Sequence, residues 1–148
     1  MKRVFVDSSV LFTAVNSPSG GSSQLFTLDT IHLLSSKVVL TEVERNIRRK
    51  LHEYHLERFL LLVSLMDIII SKPSDTLIQK ARTVIVEKDA VILAEAKQAK
   101  TDFLVTLDQK HFLQEPAMKF LHPKKIVTPK MLIETLSRLK STVINKPA

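Results

Sequence analysis

An α/β fold with a mainly parallel sheet of about five strands is predicted by two features of the sequence. Short apolar runs rich in Val, Ile and Leu recur along the chain without polar alternation, and segments with helical spacing separate them. Strands buried on both faces read as continuous apolar runs, and the helices that connect parallel strands cover those faces. The alternation continues from Val4 to Leu139 with no internal repeat or low-complexity block. One domain is therefore expected over residues 1–140, followed by a loose tail over 141–148.

Taken in order, Val4-Phe5-Val6 is the first strand, ended by Asp7-Ser8-Ser9. The run Asn16 to Gly21 contains both glycines of the chain and is a loop. Ser22 or Ser23 caps a helix through Leu25, Phe26, Leu28 and Ile31, and Ile31 to Leu34 reads as the second strand. Ser36 opens a helix whose apolar positions Val39, Val43, Ile47 and Leu51 recur every fourth residue. A further helix is expected over Glu53 to Met66. The β-branched Ile68-Ile69-Ile70 is the third strand, stopped by Pro73. Helices over Asp75 to Val86 and Ala90 to Lys100 precede a fourth strand, Phe103 to Leu107. Lys125-Ile126-Val127 is the fifth, and Pro129 starts a last helix through Leu139.

Composition narrows the chemistry. The chain has 148 residues, 45% of them hydrophobic but only 5% aromatic, so its core must be largely aliphatic. The absence of cysteine removes disulfides, thiolate metal sites and thiol nucleophiles together. A formal net charge of +7 produces a field that attracts polyanions, nucleic acid first among them. No run approaches the ~20 apolar residues that a membrane-spanning helix needs, since Leu60 to Ile70 is interrupted by Ser64 and Asp67. The opening Met1 to Val6 is cut short as a signal sequence by Asp7. A soluble, cytoplasmic protein with no membrane partner is expected.

Functional sites of open parallel sheets lie beyond the carboxyl ends of the strands. Asp7 directly follows strand one, and Asp108 directly follows strand four. Asp89 is brought to them by length. The expected helix Ala90 to Lys100 rises ~16 Å, and the strand Phe103 to Leu107 returns over about the same distance. The start of the helix then lies level with the end of the strand. Three converging carboxylates raise one another's pKa values unless a cation compensates. Oxygen ligands suit Mg²⁺ or Mn²⁺, and such an ion can orient a phosphate, stabilise its charge and activate a water. Singly, each acid has a plainer explanation: Asp7 and Asp108 as turn formers, Asp89 as a helix N-cap. A fourth acid is sought on the helix after strand two, where Glu42 and Glu44 both stand. Glu44 has Arg48 four residues on and can form a capping box with Thr41, which leaves Glu42 as the choice.

These residues, in this order, resemble the PIN-domain family. The first motif is Val4-Phe5-Val6-Asp7-Ser8-Ser9, and the second is the Ser36-led helix carrying Glu42. The third and fourth, the most specific, are Lys88-Asp89-Ala90-Val91-Ile92-Leu93-Ala94-Glu95-Ala96 and Thr101-Asp102-Phe103-Leu104-Val105-Thr106-Leu107-Asp108. The resemblance runs from Lys2 to Leu136. It implies a three-layer α/β/α sandwich and a metal-dependent ribonuclease acting on single-stranded RNA, similar to the VapC-type toxins of toxin–antitoxin pairs. It implies Asp7, Glu42, Asp89 and Asp108 as the acidic, metal-holding site, with Ser9 and Thr106 as hydroxyls orienting carboxylates. It also implies an antitoxin partner and a homodimer. One departure stands out. Many members carry a further acid soon after the fourth, and here Gln109-Lys110-His111 follows, with His111 expected on the surface beside Phe112.

An acidic pocket alone repels phosphate, so cations are needed around it. Arg45, Arg48, Arg49 and Lys110 are the candidates for contact with RNA, although helices also carry such charges for solubility alone. Two other functions fit parts of the sequence. An inactive module keeping the fold without turnover is suggested by the missing acid. A receiver-like domain also groups acids at strand ends, but no Asp-Asp pair follows strand one.

Overall fold

The computed structural model describes the backbone of residues 1–144 and the side chains through residue 140. Five strands, β1 (Lys2–Val6), β2 (Ile31–Ser36), β3 (Asp67–Ile69), β4 (Phe103–Val105) and β5 (Lys125–Val127), form one parallel sheet in the order β3-β2-β1-β4-β5. The helices are α1 (Ser8–Asn16), α2 (Gly21–Gln24), α3 (Lys37–Lys50), α4 (His55–Val63), α5 (Asp75–Arg82), α6 (Glu87–Gln98), α7 (Glu115–Leu121) and α8 (Pro129–Ile144). From β1 the chain steps outward through β2 to β3, then crosses back and steps the other way through β4 to β5. Crossovers between parallel strands are right-handed, so reversing the direction moves the connecting helices to the opposite face. The packing agrees: α1 contacts α2, α3 and α4, whereas α6 contacts α5 and α7. The expected α/β/α layering follows from this reversal.

The reversal also creates the site. β1 and β4 are neighbours, registered Val6 to Val105, and the chain leaves them in opposite directions. A crevice at such a switch point is where α/β sheets place their ligands. The sheet beneath is dry, with Val4, Phe5, Val6, Leu104 and Val105 all fully buried. No helix among the described residues is long and apolar enough to cross a membrane.

Several elements differ from expectation. α1 begins immediately after Asp7, burying Val10, Leu11, Ala14 and Val15. The helix expected from Ser22 is only one turn, α2, continued by a 3-10 turn over Leu25–Thr27, and Ile31 belongs to β2. Neither Ser22 nor Ser23 caps it, since Gly20 is the N-cap; the buried Ser23 hydroxyl shares its hydrogen between the Ser17 and Ala14 carbonyls, at 2.5 and 3.0 Å, and receives Arg58 Nη2 at 3.0 Å. The helix expected through Val86 stops at Arg82, because Thr83, Val84, Ile85 and Val86 are four consecutive β-branched residues, poor helix formers. Val86 is extended and precedes α6, which therefore starts three residues before Ala90. Asp89 lies inside the first turn of α6, so the N-cap explanation of it is wrong. Strand four ends at Val105, two residues early, and α7 begins with Pro116 in its first turn, where a missing N–H costs nothing. The tail expected from Ser141 continues α8 through Ile144, and residues 145–148 lie outside the described residues.

Candidate active site

Asp7 is held by hydroxyls. Its backbone N–H extends the sheet by donating to Val105 O at 3.1 Å, and its carbonyl receives the N–H groups that start α1. Its side chain, 2% exposed, caps nothing. Instead Oδ2 accepts from Ser9 Oγ at 2.8 Å and Thr106 Oγ1 at 2.7 Å, and Oδ1 accepts from Ser8 Oγ at 3.3 Å. Each supporting hydroxyl is itself aligned from behind. Leu107 N donates to Ser9 Oγ, and Asp108 N donates to Thr106 Oγ1, both at 3.0 Å. The loop after β4 is thereby tied to the carboxylate after β1, and this bonding explains why strand four ends where it does. A hydroxyl that receives one hydrogen bond must turn its own hydrogen elsewhere, here onto Asp7.

Asp89 stands opposite and lacks such support. It is 7% exposed, and its Oδ2 is buried with no hydrogen-bond partner among the described residues. Burial, and then the negative charge of Asp7, push its pKa up to about 6; Asp108 adds to the rise, and Lys88 and His111 oppose it. The first turn of a helix offers partial positive charge to a carboxylate, but that does not pair the orphan oxygen. Asp108 receives the His111 backbone N–H on Oδ1 at 3.1 Å, and His111 Nδ1 lies 2.9 Å from its Oδ2. His111 Nδ1 is also 3.7 Å from Asp89 Oδ2. The imidazole expected on the surface is thus folded back, half-buried, among the acids. Donor atoms of Asp89, Asp108 and His111 all lie within 4.8 Å of one another.

A cavity of about 190 Å³ joins the carboxylates, lined by Asp7, Ser9, Glu42, Asn46, Lys88, Asp89 and Asp108 among others, with His111 outside its lining. Glu42 reaches it half-buried from the second turn of α3. Glu44 is exposed on the same helix and paired with Arg48 at 3.3 Å. Ser36, not Thr41, caps α3 through Val39 N, so the capping-box role for Glu44 is absent. The structure therefore brings Asp7, Glu42, Asp89 and Asp108 together around one opening, with Ser9 and Thr106 behind Asp7. The acidic pocket opens beside a groove of about 770 Å³ between α3, α6 and the segment after β3. Glu42, Asn46 and Lys88 line both. Arg45 and Arg49 line the groove together with Lys37 and Lys72. Arg48 is engaged by Glu44, and Lys110 lines a separate shallow cavity with Arg82 and His111. Of the four cations chosen from sequence, two face the groove. Phe112 is core, 1% exposed.

Sequence reasoning missed two residues. His111 was legible only as a substitution for an acid. Glu95 passed as part of an apolar helix, yet it is a buried carboxyl, 4% exposed, lining the groove and accepting Ser36 Oγ at 2.7 Å. Burial pushes its pKa up to about 7, against the lowering effect of that hydrogen bond.

Comparison with known proteins defines the class. A PIN domain family model matches residues 4–118, most of the chain, and the protein belongs to that family. PIN domains are generally nucleases that use divalent metal ions. A search of curated proteins gives no match. Among solved structures the chain is similar to DNA-bound VapBC from Salmonella typhimurium, at 15% identity and a TM-score of 0.69, covering 87% of this chain and 99% of that one. It is similar also to VapBC2 from Rickettsia felis bound to a DNA fragment from their promoter, at 19% identity and TM-score 0.67 over 84% and 96%. A third is Mycobacterium tuberculosis VapC20, described as a Sarcin-Ricin loop cleaving toxin, at 14% identity and TM-score 0.56 over 72% and 91%. At these identities the likeness establishes the fold.

Proposed function

We propose that the protein is a metal-dependent endoribonuclease that cleaves single-stranded RNA and acts as the toxin of a toxin–antitoxin pair. The observation that carries the reading is the buried, unpaired Oδ2 of Asp89, on a pocket that Asp7 and Asp108 also line at the switch point of the sheet. Leaving a buried charged oxygen unpaired is costly, and a divalent cation is the partner that satisfies several acids at once. The donor set is mostly carboxylate oxygen, which suits Mg²⁺ or Mn²⁺. Asp7, Asp89 and Asp108 hold the ion, with Glu42 completing the set from α3. When bound, such an ion stabilises negative charge on a phosphate and lowers the pKa of a water.

The chain's own residues do the rest. Ser9 and Thr106 keep Asp7 in one orientation, so the acid need not reorganise when a phosphate arrives. Lys88 sits at the boundary of pocket and groove, where it can contact a phosphate oxygen. Arg45, Arg49, Lys37 and Lys72 offer the groove as a track for the flanking strand, with Arg48 and Lys110 outside it. An antitoxin partner is supported by the VapBC complexes among the structural relatives, and a homodimer and a cytoplasmic location go with that role. Cleavage of a single-stranded RNA in Mg²⁺ or Mn²⁺, lost in Asp7→Asn and in Asp89→Asn, is the test. Full activity in either variant, from nuclease-free preparations, would falsify the assignment. An inactive binding module is favoured by the missing acid after Asp108, and calorimetry without saturable Mn²⁺ binding would support it instead.

A further inference from the structure

We propose that His111 is itself a ligand of the divalent ion, through Nδ1. The centre is then a mixed carboxylate–imidazole site that selects a first-row transition ion, Mn²⁺ foremost, over Mg²⁺. The ion belongs to the nuclease reading above, on which this inference rests; the nitrogen donor and the resulting selectivity are new.

Three observations converge. The first is spacing. Two donors bound to one ion at ~2.1 Å lie ~3.0 Å apart at an octahedral angle and ~3.4 Å apart at a tetrahedral one. His111 Nδ1 is 2.9 Å from Asp108 Oδ2 and 3.7 Å from Asp89 Oδ2. Those two separations bracket the edges of a coordination shell, and all three donors lie within 4.8 Å of one another.

The second is the orphan oxygen. The imidazole does not satisfy Asp89 Oδ2, because 3.7 Å is beyond hydrogen-bond reach. Nδ1 carries at most one hydrogen, and Asp108 Oδ2 is its nearer acceptor. The atom that lacks a partner thus faces the ring nitrogen across a gap that a small cation fills. To bind the ion the ring would carry its single hydrogen on Nε2, any second hydrogen on Nδ1 passing to water, which leaves the Nδ1 lone pair free to act beside the two carboxylates.

The third is backbone constraint. The His111 N–H is fixed on Asp108 Oδ1 at 3.1 Å, and Phe112 next to it is anchored in the core. The imidazole is therefore held at the acids by a short, rigid connection rather than left free on the surface. Mg²⁺ favours hard oxygen donors and retains its waters, whereas imidazole affinity rises along the first-row transition ions. A histidine at this position tilts the preference away from Mg²⁺.

The test uses the full chain loaded with Mn²⁺ and pulsed electron paramagnetic resonance to detect coupling to ¹⁴N. Calorimetry of Mn²⁺ and Mg²⁺ binding accompanies it, for wild type, His111→Gln and His111→Asp. Coupling is expected in wild type and absent in both variants. His111→Gln should weaken Mn²⁺ binding about tenfold or more while changing Mg²⁺ binding less than about threefold. Saturable Mn²⁺ binding without ¹⁴N coupling, or coupling that persists in folded His111→Gln, would overturn the histidine ligand and leave the nuclease reading standing. Absence of any saturable Mn²⁺ binding by wild type would overturn both. The wild-type spectrum decides the matter even if a variant fails to fold.

Discussion

Asp89 and Glu95 are two buried acids on one helix, and their surroundings set them apart. Both have raised pKa values, to about 6 and about 7, and burial leads in both. Beyond burial the causes diverge. Asp89 is pushed further by the charges of Asp7 and Asp108, carried in on β1 and the loop after β4. Glu95 meets no other carboxylate among its causes; what it meets is the Ser36 hydroxyl, which favours the ionised form. Repulsion among acids is relieved by a cation, whereas simple desolvation is relieved by a proton. The same helix therefore carries one acid suited to holding a metal and another suited to being neutral.

The sharpest way to break this contrast is substitution at each position. Asp89→Asn is expected to lower RNA cleavage at least about a hundredfold, in line with losing a metal ligand, while metal-free thermal stability holds or rises because a repulsive charge is gone. A cleavage assay paired with thermal unfolding checks both halves, and a variant that loses stability along with activity would sink the repulsion argument. Mn²⁺ at about 100 times its dissociation constant should stabilise the wild type by about 2.7 kcal/mol, or roughly 5–10 °C in melting temperature. Glu95→Gln should show that gain in full, and Asp89→Asn little of it.

Glu95 makes a pH prediction whose sign follows from linkage. A free Glu titrates near 4.5 and this one near 7, so between those values the folded chain holds a proton that the unfolded chain has released. Stability then falls as pH rises through the window, by up to about 3 kcal/mol. Glu95→Gln cannot ionise. Denaturant unfolding should find variant and wild type similar near pH 4, with the variant gaining steadily to about pH 7.5; parallel curves would remove Glu95 as a neutral acid.

Ser36→Ala should cost about 1–2 kcal/mol, since it removes both the α3 cap and the donor to Glu95. The smallest effect is expected from Glu44→Gln, an exposed residue paired with exposed Arg48: about 0.5 kcal/mol or less, with cleavage unchanged. Glu42→Gln should reduce cleavage. Equal behaviour of the two variants would erase the distinction between pocket and surface on α3.

Much of this molecule can be read from local pattern. Val4-Phe5-Val6 and Phe103-Leu104-Val105 announce buried parallel strands, and the acids that end them fall at one rim because the strands are parallel neighbours. Ser36 announces its helix, since an N-cap is a contact between residues three apart. The register estimate that brought Asp89 to Asp108 survived an error of three residues in the start of α6, because any position in the first turn lies at the same level. The break at Thr83 to Val86 is written in four consecutive β-branched residues, whose local preference outweighs the helix expected through Val86.

What only the tertiary structure decided depends on residues far apart in the chain. Periodicity places Glu42 and Glu44 on one helix, but the packing of α3 turns the first toward the pocket and the second toward Arg48. Four neighbouring cations look alike in sequence; the groove takes Arg45 and Arg49 and leaves Arg48 and Lys110 aside. His111 reads as an ordinary surface histidine until the loop folds it back between two carboxylates. Secondary structure follows largely from interactions within a few residues, so the sequence by itself determined the five strands, most of the helices and the strand-end acids, while α1, α7 and the end of β4 came only with the structure. Charge repulsion, burial and metal-ligand spacing act through space, so the identity and protonation of the site were decided only when β1, β4, α3 and α6 came together.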